Sequence, residues 1–276
     1  MINDSAMWIL EESCLKRRNK MEKTNNVVTL DNQDNDPICI GLIIAGGVGS
    51  RMKAKIPKQF MKVEGKEVIF YTLEAFQNSR NIDAIVVVCL DGWQDTLKKG
   101  AREYGITKML GLPDNGIVTG GDSGMHSLRN GMEYLRKHYD KDSIVVIHDA
   151  VRPLISEDII AANVAGVKRH GTAITTVPTT EALLQITPDN PDNSNVVVDR
   201  SCIARTQTPQ SLRLEKFIWA HEEAVKRGIE DTVATCTLLV ELGESVHLIL
   251  GEGTNFKITT QEDIDLMKAY LRMGYR

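Results

Sequence analysis

Hydrophobic and polar positions along the chain fall into two textures that change near residue 36. From Ile38 onward, short unbroken apolar runs alternate with longer stretches in which apolar residues recur at helical spacing. Ile38–Ala45 (ICIGLIIA) is too short for a core helix and is closed by glycines, so it predicts a buried strand. Ala84–Leu90 (AIVVVCL), Ser143–Ile147 (SIVVI) and Ala173–Val177 read the same way, and Ile117–Thr119 predicts a short strand before a glycine pair. Helical period marks Val68–Asn78, Gln94–Tyr104, Ser127–His138 and Glu157–His170, then Leu214–Arg227, Thr232–Leu242 and Glu262–Arg272, with Val246–Leu250 a closing strand. Continuous β-branched runs alternating with helices predict an α/β fold: a Rossmann-like, mostly parallel sheet with helices on both faces.

Thr180–Gln210 breaks that rhythm. Glu181–Ile186 and Asn195–Arg200 have strand character around the turn-rich Thr187–Ser194, which predicts an antiparallel hairpin protruding from the sheet. Residues 1–36 hold KRRNK, Asn25–Asn26 and an Asp-rich run with little apolar periodicity, and read as a mobile or weakly structured leader. The expected organisation is this leader followed by one domain over residues 37–276, whose arm spans about 180–207.

Composition narrows the classes. With 42% hydrophobic and 25% charged residues, the 276-residue chain has an ordinary globular make-up, and its formal charge of −4 argues against general binding to nucleic acid or anionic membrane. Five widely spaced cysteines without a Cys-x-x-Cys make a disulfide framework or zinc site a poor fit and suit a reducing cytosol, so a cytoplasmic protein is expected. No apolar run has the length a membrane helix needs, and the N-terminus lacks a signal-peptide pattern.

The first strand runs into Gly46-Gly47-Val48-Gly49-Ser50-Arg51-Met52. Glycines after a parallel strand let backbone approach a ligand and offer N–H groups to phosphate oxygens, at the strand ends where such sheets bind. A Walker A loop fails here because Arg51 stands where its second glycine belongs, and a dinucleotide fingerprint fails at Met52. What remains is a glycine turn followed by Arg51 and by Lys58, which the adjacent Pro57 holds in an ordered segment. Two anchored cations beside a glycine cradle suit a nucleoside triphosphate, whose charge grows at the reacting phosphorus and leaving group.

Ala45-Gly46-Gly47-x-Gly49-Ser50-Arg51-Met52 and Pro57-Lys58-Gln59-Phe60 together resemble the cytidylyltransferases that make CDP-methylerythritol and CDP-ribitol. Gly120-Gly121-Asp122 with Ser127, His148 through Pro153 (HDAVRP), Thr208-Pro209-Gln210, and Asn255 through Thr259 (NFKIT) continue the resemblance in order. It implies a CTP-dependent nucleotidyltransferase that moves CMP onto an alditol phosphate, ribitol-5-phosphate-like or 2-C-methyl-D-erythritol 4-phosphate, and releases diphosphate. It also implies that Arg51, Lys58, Arg200 and Lys257 are catalytic, and that Ile44, Ala45, Gly46, Gly47, Gly49, Ser50, Gly120, Gly121, Asp122 and Ser127 bind the nucleotide. Arg152, Thr180, Arg200 and Lys257 would bind the acceptor, and Asp149 would hold Mg²⁺. The arm would cross to a second subunit, giving a homodimer with shared acceptor sites.

Two departures from the family pattern, Gly124 in place of an Arg and Thr179 in place of an Asp, favour a divergent member serving surface polymers over isoprenoid synthesis. The attacking phosphate, with a second pKa of about 6, is already anionic at neutral pH, so alignment and charge stabilisation suffice without a general base. The alternatives are a nicotinamide-dependent oxidoreductase on a Rossmann sheet, for which Asp91 after the second strand is the one supporting feature, and a relative that binds nucleotide without turnover.

Overall fold

The computed structural model describes residues 36–47, 56–232 and 234–275; the expected leader and the stretch Gly49–Arg51 lie outside them. The first apolar run is β1 (Cys39–Ala45), followed by the small antiparallel pair β2 (Lys62–Val63) and β3 (Lys66–Glu67), then helix α1 (Val68–Asn78). Next come β4 (Ala84–Cys89), α2 (Gln94–Glu103), the short α3 (Thr107–Leu110), β5 (Ile117–Thr119) and α4 (Gly124–His138). β6 (Ile144–Asp149), α5 (Glu157–His170) and β7 (Thr172–Pro178) continue the alternation. After the hairpin strands β8 (Leu183–Gln185) and β9 (Val196–Val198) the chain forms β10 (Ala204–Arg213), α6 (Leu214–Arg227), α7 (Thr235–Glu241), β11 (Leu248–Leu250) and α8 (Gln261–Arg272).

The strand order β11-β7-β10-β6-β1-β4-β5 explains where a ligand can go. From β1 the chain moves outward to β4 and β5, then returns to lay β6 against the other edge of β1, both neighbours being parallel to it. That reversal makes a crevice at the carboxyl ends of β1 and β6. Register puts the chemistry there: Ile44 sits opposite Asp149, Ala45 opposite Cys89, and Cys89 opposite Thr119, the residue before Gly120.

The apolar runs are continuous because both faces are covered. Cys39, Ile43 and Ala45 of β1, with Ile85 and Val87 of β4, pack with Phe70, Leu73 and Phe76 of α1 and Val164 of α5. Ile40, Leu42, Val86 and Val88 project the other way onto Met132 and Leu135 of α4 and Phe217 of α6. Gly41 makes room for Phe76: a β-carbon there would stand 2.5 Å from its ring.

Two expectations change. Helix α4 begins at Gly124 rather than Ser127, because Ser123 caps it by accepting the His126 N–H at 3.1 Å. β10, antiparallel to β6, forms where only turn and arm were expected. Its sequence, ARTQTPQSLR, has no apolar pattern, and its polar groups are satisfied individually. Gln210 Oε1 accepts the Cys236 N–H, Ser211 donates to Asn163 Oδ1, and Thr175 donates to the Pro209 carbonyl.

The chain divides into two compact units, one of Pro37–Thr175 with Gln207–Arg276, the other containing Thr176–Thr206. Within the second, β8 and β9 pair antiparallel with Leu184 opposite Val197, in strands shorter than Glu181–Ile186 and Asn195–Arg200.

Candidate active site

Glycine contact and a charge cluster occupy the edge where β1, β4, β5 and β6 end. Gly46 and Gly120, 74 positions apart in the sequence, meet backbone to backbone: a β-carbon on Gly120 would lie 3.2 Å from Gly46 Cα, and one on Gly46 would lie 2.9 Å from Ser127 Oγ. Ser127, buried in the first turns of α4, accepts the Gly121 N–H at 3.1 Å. Gln59 donates to the carbonyls of Ala45 and Gly47 at 2.8 and 3.0 Å, tying the segment that carries Lys58 to the end of β1. The structure therefore gathers Ile44, Ala45, Gly46, Gly47, Gly120, Gly121 and Ser127 in one place, as a nucleotide cradle requires. Asp122 follows directly and is exposed.

The charge cluster lies beside it. Asp149, the last residue of β6, accepts from Arg152 Nε at 3.2 Å and from Lys257 Nζ at 3.0 Å, both on Oδ2. Burial by itself would raise the Asp149 carboxyl, but the neighbouring Lys257 and Arg152 cations outweigh it and hold the group below the usual carboxylate range. Lys58 Nζ donates to the Ile258 carbonyl at 2.9 Å, which places it next along the chain from Lys257. Lys58, Arg152 and Lys257, drawn from three distant parts of the sequence, are thereby anchored to residues 255–258 and Asp149. His148 is fully buried and neutral at pH 7, burial pushing its imidazole down to about 4. Its Nε2 lies 3.1 Å from the Arg152 carbonyl, which can only accept, so Nδ1 is the acceptor and the Thr208 hydroxyl donates to it at 3.0 Å. His148 is thus a packed strand-end residue.

Thr180 and Arg200 belong to the second unit and pair with each other, Arg200 Nη1 donating to the Thr180 carbonyl at 2.6 Å. Gly49, Ser50 and Arg51 are not among the described residues.

A family model for 2-C-methyl-D-erythritol 4-phosphate cytidylyltransferase (IspD) matches residues 39–273. The chain belongs to this family. A ribitol-5-phosphate cytidylyltransferase from Vibrio parahaemolyticus is 40% identical over 233 residues, covering 84% of this chain and 95% of that protein. A 2-C-methyl-D-erythritol 4-phosphate cytidylyltransferase from Syntrophus aciditrophicus is 33% identical over 240 residues, covering 86% and 97%. The crystal structure of 4-diphosphocytidyl-2C-methyl-D-erythritol synthase from Anaerococcus prevotii has a TM-score of 0.69 at 26% identity, covering 86% of this chain and 99% of that one.

Membership of the cytidylyltransferase family makes the chain a nucleotidyltransferase and removes the oxidoreductase alternative. The donor set also suits this family's chemistry. Among the described residues no group of three or more His, Cys, Asp or Glu is arranged to hold a metal. A single carboxylate, Asp149 at the end of β6, is compatible with Mg²⁺, an ion that keeps phosphate and water oxygens as most of its ligands. The sequence reading gave no role to Gln59, Thr208 or Asn255, although each lies inside a motif block. The signal available was their polarity at positions that the fold buries, fully for Gln59 and Asn255 and partly for Thr208. Among the described residues, no helix is long and apolar enough to cross a membrane.

Proposed function

We propose that this cytidylyltransferase transfers CMP from CTP to the phosphate of ribitol 5-phosphate. An acceptor phosphate oxygen forms the new bond to the α-phosphorus of CTP, the bond from that phosphorus to the β-bridging oxygen breaks, and pyrophosphate leaves. The observation that carries this reading is the convergence of Lys58, Arg152 and Lys257 on Asp149 and its neighbours, beside the Gly46–Gly120 contact.

In this mechanism the glycine cradle and Ser127 seat the nucleoside end. Lys58, with Gly49, Ser50 and Arg51 that precede it in the sequence, neutralises charge building on the α-phosphate and departing pyrophosphate. Arg152 offers a planar fork, and Lys257 a point charge, to the acceptor phosphate. Asp149 orients both cations and would hold Mg²⁺, which bound with CTP supplies charge neutralisation across the phosphate oxygens. No residue need accept a proton, because the nucleophile is already an anion.

Ribitol 5-phosphate is preferred as acceptor because a relative named for that substrate is 40% identical, against 33% for one named for 2-C-methyl-D-erythritol 4-phosphate. The family model favours the latter as the second reading. We further propose a cytoplasmic homodimer, with Thr180 and Arg200 of the hairpin serving the partner's acceptor site. Support comes from the exposed apolar pair Leu184 and Val197, which calls for a cover.

The test is pyrophosphate release from CTP and Mg²⁺ with each alditol phosphate in turn. Release with ribitol 5-phosphate at the higher kcat/KM is expected. Release with no acceptor would overturn the reading and leave a binding protein without turnover.

A further inference from the structure

Asp149 and Arg152 both bond directly to one of two uncharged residues, Thr208 and Asn255. Asn255 is fully buried, and its backbone carbonyl accepts Arg152 Nη1 at 2.8 Å. Its side-chain amide reaches across to β10, donating to the Thr208 carbonyl at 2.8 Å and to Gln207 Oε1 at 3.2 Å. Gln207 returns the contact by donating to the Glu252 carbonyl at 2.9 Å, so the loop before Asn255 is held at two points. The Thr208 hydroxyl accepts the Asp149 N–H at 3.1 Å and donates to His148 Nδ1. His148 Nε2–H in turn donates to the Arg152 carbonyl. Three residues beyond Asn255, the Ile258 N–H donates to the Val151 carbonyl at 2.9 Å, while the Ile258 carbonyl receives Lys58. Backbone at 149, 152, 255 and 258 is therefore joined in one partly buried network that closes on β10.

We infer that Thr208 and Asn255 form a latch that sets the mutual positions of Asp149, Arg152 and Lys257, and are positioning residues for the acceptor side of the site. The inference rests on the proposed CMP transfer for its catalytic meaning. The physical reason is that Arg152 and Lys257 approach one carboxylate oxygen from two segments far apart in sequence, and the cross-links to β10 add to the direct Ile258–Val151 and Arg152–Asn255 bonds in holding those segments in register. A shift of about 1 Å between reacting groups can cost a hundredfold in rate, so a latch remote from substrate still governs turnover. The nucleoside cradle is pinned separately by Gln59 and Ser127, so seating of the nucleoside end does not run through the latch.

The experiment compares Thr208→Val, Thr208→Ser and Asn255→Ala with the parent full-length chain, in steady-state kinetics with CTP and ribitol 5-phosphate and in amide hydrogen exchange. Thr208→Val keeps the shape and removes both hydroxyl contacts. It is expected to lower kcat/KM for ribitol 5-phosphate by about 10- to 100-fold, with the KM for CTP within about twofold of parent. Thr208→Ser restores the hydroxyl and should recover most of the loss, which a simple packing defect would not. Exchange over peptides covering 252–258 should quicken in Thr208→Val and Asn255→Ala while α1 and β4 stay protected. Parent-like kinetics in folded Thr208→Val, or an equal loss for CTP and acceptor, would overturn the latch. If the parent itself releases no pyrophosphate, the functional reading falls. The exchange arm still decides the latch, since unchanged protection over 252–258 refutes it.

Discussion

Lys58 bonds the carbonyl of the residue after Lys257, yet the two lysines contact different groups. Lys58 donates to the Ile258 carbonyl, whereas Lys257 shares Asp149 with Arg152. Lys58→Ala should accordingly lower kcat by about 10²–10³-fold through lost transition-state stabilisation, with the fold intact by circular dichroism. A kcat within threefold of parent, roughly the noise of such comparisons, would remove Lys58 from the mechanism. His221 on α6 shows a different residue-scale property. It is buried with both ring nitrogens unpartnered, and burial pushes it down to about 4, with Arg129 acting in the same direction. The unfolded imidazole titrates near 6.5, so between those values the unfolded chain binds more protons and stability drains away as pH falls. His148, also down to about 4, adds to the same window. Each buried histidine contributes on the order of 3 kcal/mol of this acid lability. His221→Phe should therefore shrink the difference in urea midpoint between pH 7.5 and 4.5, because it leaves no ring to protonate. An undiminished difference would show that His221 is already charged or solvated in the native state.

At the scale of elements, the strands and helices that cover one another were legible because burial writes itself into the sequence as runs and periods. Ala84–Leu90 became β4 and Glu157–His170 became α5 almost residue for residue. β10 was not legible, since a strand whose inward groups are Gln207, Thr208, Gln210 and Ser211 is stabilised by specific hydrogen bonds that no periodicity announces. The same difference separates the legible part of the site from the rest. Gly46, Gly120 and Asp149 stand at strand ends that alternation locates, while the roles of Asn255 and Gln59 depend on which distant carbonyl each happens to meet. The glycine that follows β1 supplies a prediction at this scale. Gly46→Ala would push a methyl to 2.9 Å from Ser127 Oγ and disturb the hydroxyl that holds Gly121, so the KM for CTP should rise about tenfold. Gly124→Ala in the first turn of α4, where a β-carbon would meet nothing within 4 Å, should bind CTP like the parent. Equal CTP affinity in both variants, read by calorimetry, would separate the glycine contact from the nucleotide.

For the whole molecule, the remaining question is what covers the hairpin. Leu184 is 62% exposed and Val197, directly opposite it in the ladder, is 76% exposed; Ile186 on the same side is 59% exposed. A two-stranded hairpin is marginal in water by itself, and an apolar stripe on such a hairpin loses solvent contact only if another surface meets it. The proposed homodimer supplies that surface, and it also gives Arg200, held to the hairpin's own Thr180 carbonyl, a site to serve. Val197→Glu places a charge in the middle of the stripe, in the unit that holds neither the glycine cradle nor the Asp149 cluster. If the hairpin faces a second copy, sedimentation should show the variant as a monomer at concentrations where the parent is dimeric. Because acceptor contacts would be lost with the partner, the KM for ribitol 5-phosphate should rise about tenfold or more while the KM for CTP holds. Arg200→Ala should reproduce the kinetic defect and remain dimeric, which separates the contact from the assembly. A Val197→Glu protein that sediments and turns over like the parent would mean that the stripe faces something other than a second copy, and that each chain completes its acceptor site alone.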